Sequence, residues 1–166
     1  AMNVHGGNVI TATTAQTQHE FYELNAVSHE AFKSQLDALY KQDVFTVIKI
    51  GLISNSLQAT TLINHPILKN KKLVLDPVLA ASSGCIEQFN DRIRAIKDLM
   101  PLLDMVTPNY DEVLAIVGVK VENQKSLRQA AQAFIQLGAS SVLIKGGHGN
   151  QPSEDYFYSD EHNFYL

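Results

Sequence analysis

The stretch Lys72-Leu73-Val74-Leu75-Asp76-Pro77-Val78-Leu79-Ala80-Ala81-Ser82-Ser83-Gly84 decides the fold of this 166-residue chain. Its consecutive apolar residues 73–75 are typical of a strand that is covered on both faces. Pro77 has no N–H to give to a sheet, so it favours the end of that strand. Asp76 is then expected at the carboxyl end of a buried strand, where open α/β sheets bind their ligands. Alternatively, Asp76 only caps a neighbouring helix or turn.

Strands and helices are predicted to alternate on either side of this stretch. The predicted strands are rich in β-branched or apolar residues, and they are 8–15, 44–50, 73–75, 105–107 and 141–145. Apolar residues at helical spacing, with capping residues such as Ser28 and Asn109, predict helices between them. We expect a polar loop over 17–23 and an aromatic hairpin over 156–166. The order predicts a single domain, 1–166, of the α/β class, with a mainly parallel sheet and helices on both faces.

The composition excludes several classes of protein. Hydrophobic residues at 45% and charged residues at 18% are typical of a soluble globular chain. A net charge of −4 provides no broad basic field for nucleic acid or anionic membranes. No apolar run approaches the roughly 20 residues that span a bilayer. Residues 1–7 do not resemble a signal peptide, and the single cysteine, Cys85, cannot form an intrachain disulfide. We expect a cytoplasmic protein that binds neither nucleic acid nor membranes.

Polar residues or glycines follow five of the predicted strands. They are Gln16, Gly51-Leu52, Asp76, Asn109 with Glu112, and Lys145 with Gly146 and Gly147. Because the carboxyl ends of parallel strands lie along one edge of a sheet, we expect these residues to meet in one crevice. Carboxylates suit Mg²⁺, a lysine neutralises phosphate charge, and glycine N–H groups let phosphate approach the backbone. The set favours phosphoryl transfer.

Each of these residues also has a structural interpretation. Asn109 and Glu112 have the spacing of a capping box. Lys145 can simply cover strand ends with its aliphatic stem, and Gln16 can be an ordinary loop amide. Lys49 is charged among apolar neighbours, and we assign it mainly to a structural role with a snorkelling side chain. At this point both interpretations of the set stay open.

The motifs together resemble a known family, the hydroxymethylpyrimidine/phosphomethylpyrimidine kinases of the ribokinase-like superfamily. The matching motifs are Thr14-Ala15-Gln16, Lys49-Ile50-Gly51-Leu52, Leu75-Asp76-Pro77-Val78, Ser83-Gly84, Thr107-Pro108-Asn109, Glu112 and Lys145-Gly146-Gly147-His148. They follow the family's order and spacing over essentially the whole chain. The resemblance implies ATP-dependent phosphorylation of hydroxymethylpyrimidine and its monophosphate in thiamine biosynthesis. It also implies ATP and Mg²⁺ as cofactors, a small pyrimidine as substrate and a homodimer.

The resemblance implies a substrate site that contains three residues of this chain. Gln16 matches the glutamine whose side chain reads the edge of the pyrimidine. Leu52 and Val78 match apolar positions that line the pyrimidine ring. The family more often has methionine at the position of Leu52.

The resemblance also implies a nucleotide and metal site. Asp76 and Glu112 match polar groups near Mg²⁺, and Asn109 matches a group near the ATP phosphates. Lys145 matches the lysine that contacts phosphate and neutralises its charge during transfer. Gly147 matches the start of a flap that takes part in ATP binding.

Two segments of the family have no match in residues 1–166. One is a first strand with a glycine-rich turn that grips the substrate. The other is a Gly-Thr-Gly-Cys segment, which supplies the anion hole and the catalytic base. We therefore expect the chain as given to be an incomplete and inactive kinase. Two alternatives remain, a pyridoxal kinase of the same branch and a non-catalytic pyrimidine-binding domain; the retained Asp76, Glu112 and Lys145 favour a kinase.

Overall fold

The computed structural model describes residues 5–42, 44–79, 86–146 and 154–166. The strands in these ranges are β1 Ala12–Gln16, β2 Phe21–Ala26, β3 Val47–Ile50, β4 Lys72–Leu75, β5 Met105–Val106, β6 Ser141–Ile144, β7 Tyr156–Ser159 and β8 Asn163–Tyr165. The helices are α1 His29–Tyr40, α2 Ser56–Ile63, α3 Ile86–Leu99, α4 Tyr110–Val117 and α5 Gln124–Gln136. None of the described helices is long and apolar enough to cross a membrane.

Strands β3 to β8 form one sheet in chain order. Strands β3 to β6 are parallel, and β7 and β8 add the predicted antiparallel hairpin. In register, Ile50 pairs with Leu75, Leu75 with Val106, and Val106 with Val142. These four side chains are buried, and they form the centre of the core. The predicted mainly parallel α/β architecture is confirmed.

The helices form one continuous layer over this sheet. Each helix contacts the next one along the chain, from α1 to α5. Because β3 to β6 lie side by side in chain order, right-handed crossovers bring every connecting helix to the same face. The expected second helical layer is therefore not found among the described residues. On the opposite face Val74, Met105 and Leu143 are only half-buried.

The segment before α1 differs from its prediction. The strand expected over 8–15 runs from Ala12 to Gln16, and the loop expected over 17–23 contains part of β2. Strands β1 and β2 pair antiparallel in a separate two-stranded sheet. Most of their side chains are exposed, so neither strand shows the apolar alternation that identifies a half-buried strand.

Side-chain caps start the first two helices, and the cap at Ser28 is the predicted one. The Ser28 hydroxyl accepts a hydrogen bond from the N–H of Ala31, 3.2 Å away, at the start of α1. The Asn55 side chain accepts one from the N–H of Gln58, at 2.9 Å, at the start of α2. Gly118 ends α4 in the left-handed conformation, with φ of 72°, which glycine adopts at little cost.

Candidate active site

The residues that follow β4, β5 and β6 are held by backbone contacts between neighbouring strands. The N–H of Asp76 donates to the carbonyl of Ile50 at 2.8 Å, and the N–H of Lys145 donates to the carbonyl of Pro108 at 2.8 Å. Asn109 and Lys145 form a further parallel bridge. The parallel pairing therefore continues past the strands, and it brings these residues to one edge of the sheet, as predicted.

The carboxylate of Asp76 lies between two lysines. Lys145 Nζ is 2.8 Å from Oδ1, and Lys49 Nζ is 3.1 Å from Oδ2. Burial of the carboxyl raises its pKa, but the hydrogen bonds and positive charges of both lysines outweigh that effect. The pKa of Asp76 therefore lies below its usual value. Asp76 is thus an ionised group that interacts with a cation through each oxygen.

Lys49 is a member of the site that the sequence interpretation missed. In register Lys49 pairs with Val74, and Val74 and Asp76 lie on the same face of their strand because side chains alternate along it. Asp76 is two residues after Val74 on this face, so the long side chain of Lys49 can reach it. The purely structural assignment of Lys49 is therefore incomplete. The signal was its charge within an apolar strand, which becomes informative once the register of β3 and β4 is known.

Glu112 and Asn109 form the capping box at the start of α4. The Asn109 side chain accepts from the N–H of Glu112 at 2.9 Å, and Glu112 Oε2 accepts from the N–H of Asn109 at 2.8 Å. Burial raises the pKa of Glu112, and the negative charge of Asp76 raises it further. The hydrogen bond from the Asn109 N–H and the positive charge of Lys145 lower it, but the pKa remains above its usual value. Glu112 therefore caps a helix and also interacts electrostatically with Asp76 and Lys145.

The donor set of this site is compatible with Mg²⁺. That ion usually takes one or two carboxylates from the protein and completes its shell with water and phosphate oxygens. Asp76 and Glu112 are two such carboxylates. Within the described ranges there is no cluster of three or more His, Cys, Asp or Glu side chains that would hold a metal by itself. The pair thus fits a metal shared with a nucleotide better than one held by the protein alone. We use the term strand-end cluster for Asp76, Glu112, Asn109, Lys145 and Lys49.

Gly146 has a different role from the one that the sequence suggested. Its N–H donates to Asp155 Oδ1 at 2.8 Å, so this group is already bonded and is not free for a phosphate. A Cβ at this position would lie 2.4 Å from the carbonyl oxygen of Glu154. Glycine is required here because the chain that enters β7 passes so closely. Gly147 lies outside the described residues.

The structure places Gln16 apart from the sheet that carries the strand-end cluster. Gln16 is the last residue of β1 and is exposed. Its predicted position at the end of a parallel strand is therefore wrong. The hairpin is tied to the start of α2, because the carbonyl of Thr11 accepts from Gln58 Nε2 at 2.8 Å and from the Ser54 hydroxyl at 3.3 Å.

The two apolar substrate candidates lie in different surroundings. Leu52 lines a cavity of about 200 Å³ beside β3, together with Lys49 and Phe32. Val78 is 40% exposed and is not among the residues that line that cavity. It lies in a tight turn, in which its N–H donates to the carbonyl of Asp76. The structure therefore joins the predicted phosphate and metal residues, and it does not join Gln16, Leu52 and Val78 around this cavity.

Comparison with known proteins identifies the family. The family model for phosphomethylpyrimidine kinase matches residues 1–166. A hydroxymethylpyrimidine/phosphomethylpyrimidine kinase of Staphylococcus aureus is 32% identical over 164 residues, which are 95% of this chain and 59% of that protein. The enzyme of the same name from Haemophilus influenzae is 34% identical over 157 residues, 91% of this chain and 57% of that protein. The chain thus spans less than two thirds of the length of these curated relatives.

Solved structures show the same relationship. A phosphomethylpyrimidine kinase from Clostridium difficile superposes with a TM-score of 0.82 at 28% identity, over 99% of this chain and 72% of that one. A Bacillus subtilis pyridoxal kinase, solved as an ADP complex, has a TM-score of 0.85 at 22% identity, over 99% of this chain and 64% of that one. The second likeness supports the fold alone. By the family model, the identity to its relatives and the shared ribokinase-like fold, this chain belongs to the phosphomethylpyrimidine kinase family.

Proposed function

We propose that this chain carries the phosphate- and metal-binding part of a kinase that phosphorylates hydroxymethylpyrimidine and its monophosphate with ATP. The observation that carries the proposal is the convergence of Asp76, Glu112 and Lys145, which lie in the segments that follow three adjacent strands. Two carboxylates and a lysine are among the groups that phosphoryl transfer uses, because its catalysis is mainly positioning and charge neutralisation. A domain that only bound a pyrimidine would have no need for this set.

In this proposal Asp76 and Glu112 hold Mg²⁺, which bridges phosphate oxygens and neutralises charge when it is bound. Glu112 accepts the Asn109 N–H through Oε2, and the N–H of Leu79 also interacts with this carboxylate. Each oxygen of Asp76 already interacts with a lysine, and a Mg²⁺ ion at this carboxylate would repel both ammonium groups. The side chain of Lys49 is 67% exposed and that of Lys145 is 36% exposed. Lys49 is the one that moves into water at lower cost.

Lys145 is the residue that we assign to the phosphoryl group itself. Its backbone is fixed by the bond to Pro108, and its ammonium group is positioned by Asp76 at 2.8 Å. A lysine held in this way keeps its charge directed at one edge of the sheet, where it offsets negative charge on a phosphate. Asn109 and Gly147 are proposed to contact the nucleotide on the same side. We assign no catalytic base within the strand-end cluster.

The substrate residues are proposed from the family motifs. Gln16 would read the edge of the pyrimidine with its amide, and Leu52 and Val78 would pack against the ring. An exposed glutamine and an exposed valine are compatible with a surface that closes on a ligand, since both lose contact with water when the ring binds.

The experiment is a phosphorylation assay. It uses the whole gene-encoded protein that contains residues 1–166. Hydroxymethylpyrimidine, its monophosphate and pyridoxal are offered separately with ATP and Mg²⁺. We expect turnover of both pyrimidines and weaker turnover of pyridoxal. Lys145→Met should abolish most of this activity, whereas Lys97→Met, an exposed lysine on α3, serves as the matched control. Equal activity of the two variants would contradict the role of Lys145, and a preference for pyridoxal would favour the related vitamin kinase.

The homodimer and the cytoplasmic location expected from the sequence remain predictions. Sedimentation of the same protein tests the first, and fractionation of cells that express it tests the second. A monomer that turns over substrate would remove the homodimer from the proposal without affecting the assignment of the strand-end cluster.

A further inference from the structure

Arg92 on α3 is a buried cation with an unsatisfied donor. The residue is 4% exposed, and its Nε has no hydrogen-bond partner among the residues that the structure describes. An arginine with a purely packing role buries its stem and leaves the guanidinium in water. Arg92 does not follow that pattern, because almost the whole residue is withdrawn from solvent. Buried charges are normally paired, since removing an ion from water is costly, so a group of opposite charge would stabilise this side chain.

Arg92 lines a cavity of about 400 Å³ between α3, the strand β2 and the loop before α2. Leu24–Ala26 form one wall, Ser54 and Asn55 form another, and Gln88 lies one helical turn before Arg92. A volume of this size is many times the roughly 30 Å³ that one water molecule occupies. It accommodates a small organic acid or a phosphate. None of its lining residues belongs to the strand-end cluster.

The neutral lining residues supply hydrogen-bond donors beside the guanidinium. Asn55 accepts the N–H of Gln58 through Oδ1, which leaves its NH₂ group as a donor. Asn25 and Gln88 contribute two further side-chain amides to the walls. Each amide NH₂ carries two N–H donors. A negatively charged ligand would therefore find donors on more than one side.

Two carboxylates, Asp91 and Glu87, also line the cavity, but neither is bonded to Arg92 among the described residues. Asp91 accepts from both the backbone N–H and the hydroxyl of Ser56, the N–H at 2.9 Å, at the start of α2. These hydrogen bonds lower the pKa of Asp91. Glu87 is exposed in the first turn of α3, where water solvates it. Neither carboxylate forms an ion pair with Arg92 in the part of the chain that the structure describes.

We propose that this cavity is a second binding site, which takes a small oxyanion, a carboxylate or a phosphate group, through a two-point contact with Arg92. The planar guanidinium offers paired N–H donors that match the two oxygens of such an anion. Asn25, Asn55 and Gln88 supply the further donors. The proposal does not depend on the kinase assignment, because it uses neither a residue of the strand-end cluster nor a nucleotide.

The test is an NMR titration of the ¹⁵N-labelled chain that follows the Nε–H signal of Arg92. Sodium phosphate and sodium acetate are added separately, and sodium chloride at matched ionic strength is the blank. The exposed Arg94 on the same helix is the internal control. We expect a saturable shift at Arg92, in the millimolar range for phosphate, with no saturable shift at Arg94. Equal shifts at the two arginines, or none at Arg92, would overturn the proposal.

Two variants complete the test. If phosphate binds the folded protein, it should raise the temperature of thermal unfolding. Arg92→Gln should abolish this stabilisation by phosphate, whereas Arg94→Gln should retain it. Asn25→Asp, at an exposed position of β2, adds a negative charge to the cavity wall and should weaken phosphate binding at least fivefold even if Arg92→Gln fails to fold. Unchanged binding in Asn25→Asp would contradict the site. A shift of the Arg92 signal with protein concentration alone would identify a carboxylate of a second copy as the occupant and would also overturn the proposal.

Discussion

The strand-end cluster and the β1–β2 hairpin both carry residues of the family motifs, yet they are built differently. Asp76 and Lys145 follow strands of one sheet, and backbone bonds fix them beside each other. Gln16 lies on a two-stranded hairpin that is exposed and tied to the body through Thr11. Isolated hairpins are marginally stable, so this region can adapt to a ligand more easily than the sheet can.

This contrast indicates a division of roles. Groups that act on a phosphate must be held rigidly, because small displacements reduce transition-state stabilisation. A group that recognises a substrate can lie on an element that adjusts when the ligand binds. Changes in the strand-end cluster should therefore lower turnover, and changes in the hairpin should alter the affinity for one ligand only.

The largest effect is expected from Asp76→Asn. Removing the negative charge takes away a proposed metal ligand and the group that positions Lys145, so turnover should fall on the order of 10²-fold or more. The Mg²⁺ concentration for half-maximal rate should rise. Asp104→Asn is the matched control, because Asp104 also pairs with a lysine, Lys72 at 2.7 Å, at the other end of β4. Equal rates in the two variants would remove Asp76 from the mechanism.

Glu112→Gln separates the capping role from the metal role. Glutamine still completes a capping box, so the helix should remain intact. Loss of the charge should lower activity or metal affinity by about 10- to 100-fold. Circular dichroism checks the fold, and a Mg²⁺ titration of the rate checks the metal role. A variant with normal kinetics would show that Glu112 only caps α4.

Gln16→Ala tests the other side of the comparison. An unpaired edge of the pyrimidine should cost roughly 1–3 kcal/mol of binding free energy, while ATP affinity should hardly change. Calorimetry with both ligands measures the two effects. Gln18→Ala, in the exposed turn of the same hairpin, should bind both ligands normally. Equal losses for pyrimidine and ATP in Gln16→Ala would refute the selective role of the hairpin.

Lys49→Met should have a smaller effect, because its ion pair is largely exposed. Such pairs contribute about 0.2–1 kcal/mol, so stability should change by no more than about 1 kcal/mol. If Lys49 competes with the metal for Asp76, the variant should bind Mn²⁺ slightly more tightly, as measured by electron paramagnetic resonance. Weaker Mn²⁺ binding would instead show that Lys49 supports the metal site.

The smallest effect concerns the pH dependence of stability. The pKa of Glu112 is raised in the folded state, so the folded protein holds this proton more tightly than the unfolded chain does. Stability therefore falls as the pH rises through the window between the unfolded and the folded pKa. The Glu112→Gln variant lacks the loss of stability that deprotonation of Glu112 causes. The stability of the variant relative to that of the wild type should therefore increase from pH 4 to pH 7. Denaturant unfolding at both pH values measures the difference, and a constant difference would contradict the raised pKa.

The sequence by itself determined the order of the core strands along the chain, the helix starts at Ser28 and Asn109, and the residues that follow the strands of the main sheet. These features depend on local patterns. An apolar run such as 73–75 predicts a buried strand, and Asn109 with Glu112 forms its capping box within a single turn of chain. Once the strands are parallel, their carboxyl ends must lie along one edge, so the meeting of Asp76 and Lys145 also followed from the sequence.

Only the tertiary structure decided the features that depend on residues distant in the chain. Lys49 pairs with Asp76 because of the register between β3 and β4, and Gly146 is needed because the chain returns beside it at Glu154. Gln16 belongs to a separate hairpin because β1 finds its partner in an exposed strand without an apolar pattern. Arg92 lines a cavity together with residues of β2 and of the loop before α2, which are distant from it in the chain. A local pattern reports which side chains a segment carries, but which distant groups they meet is decided by how the segments pack.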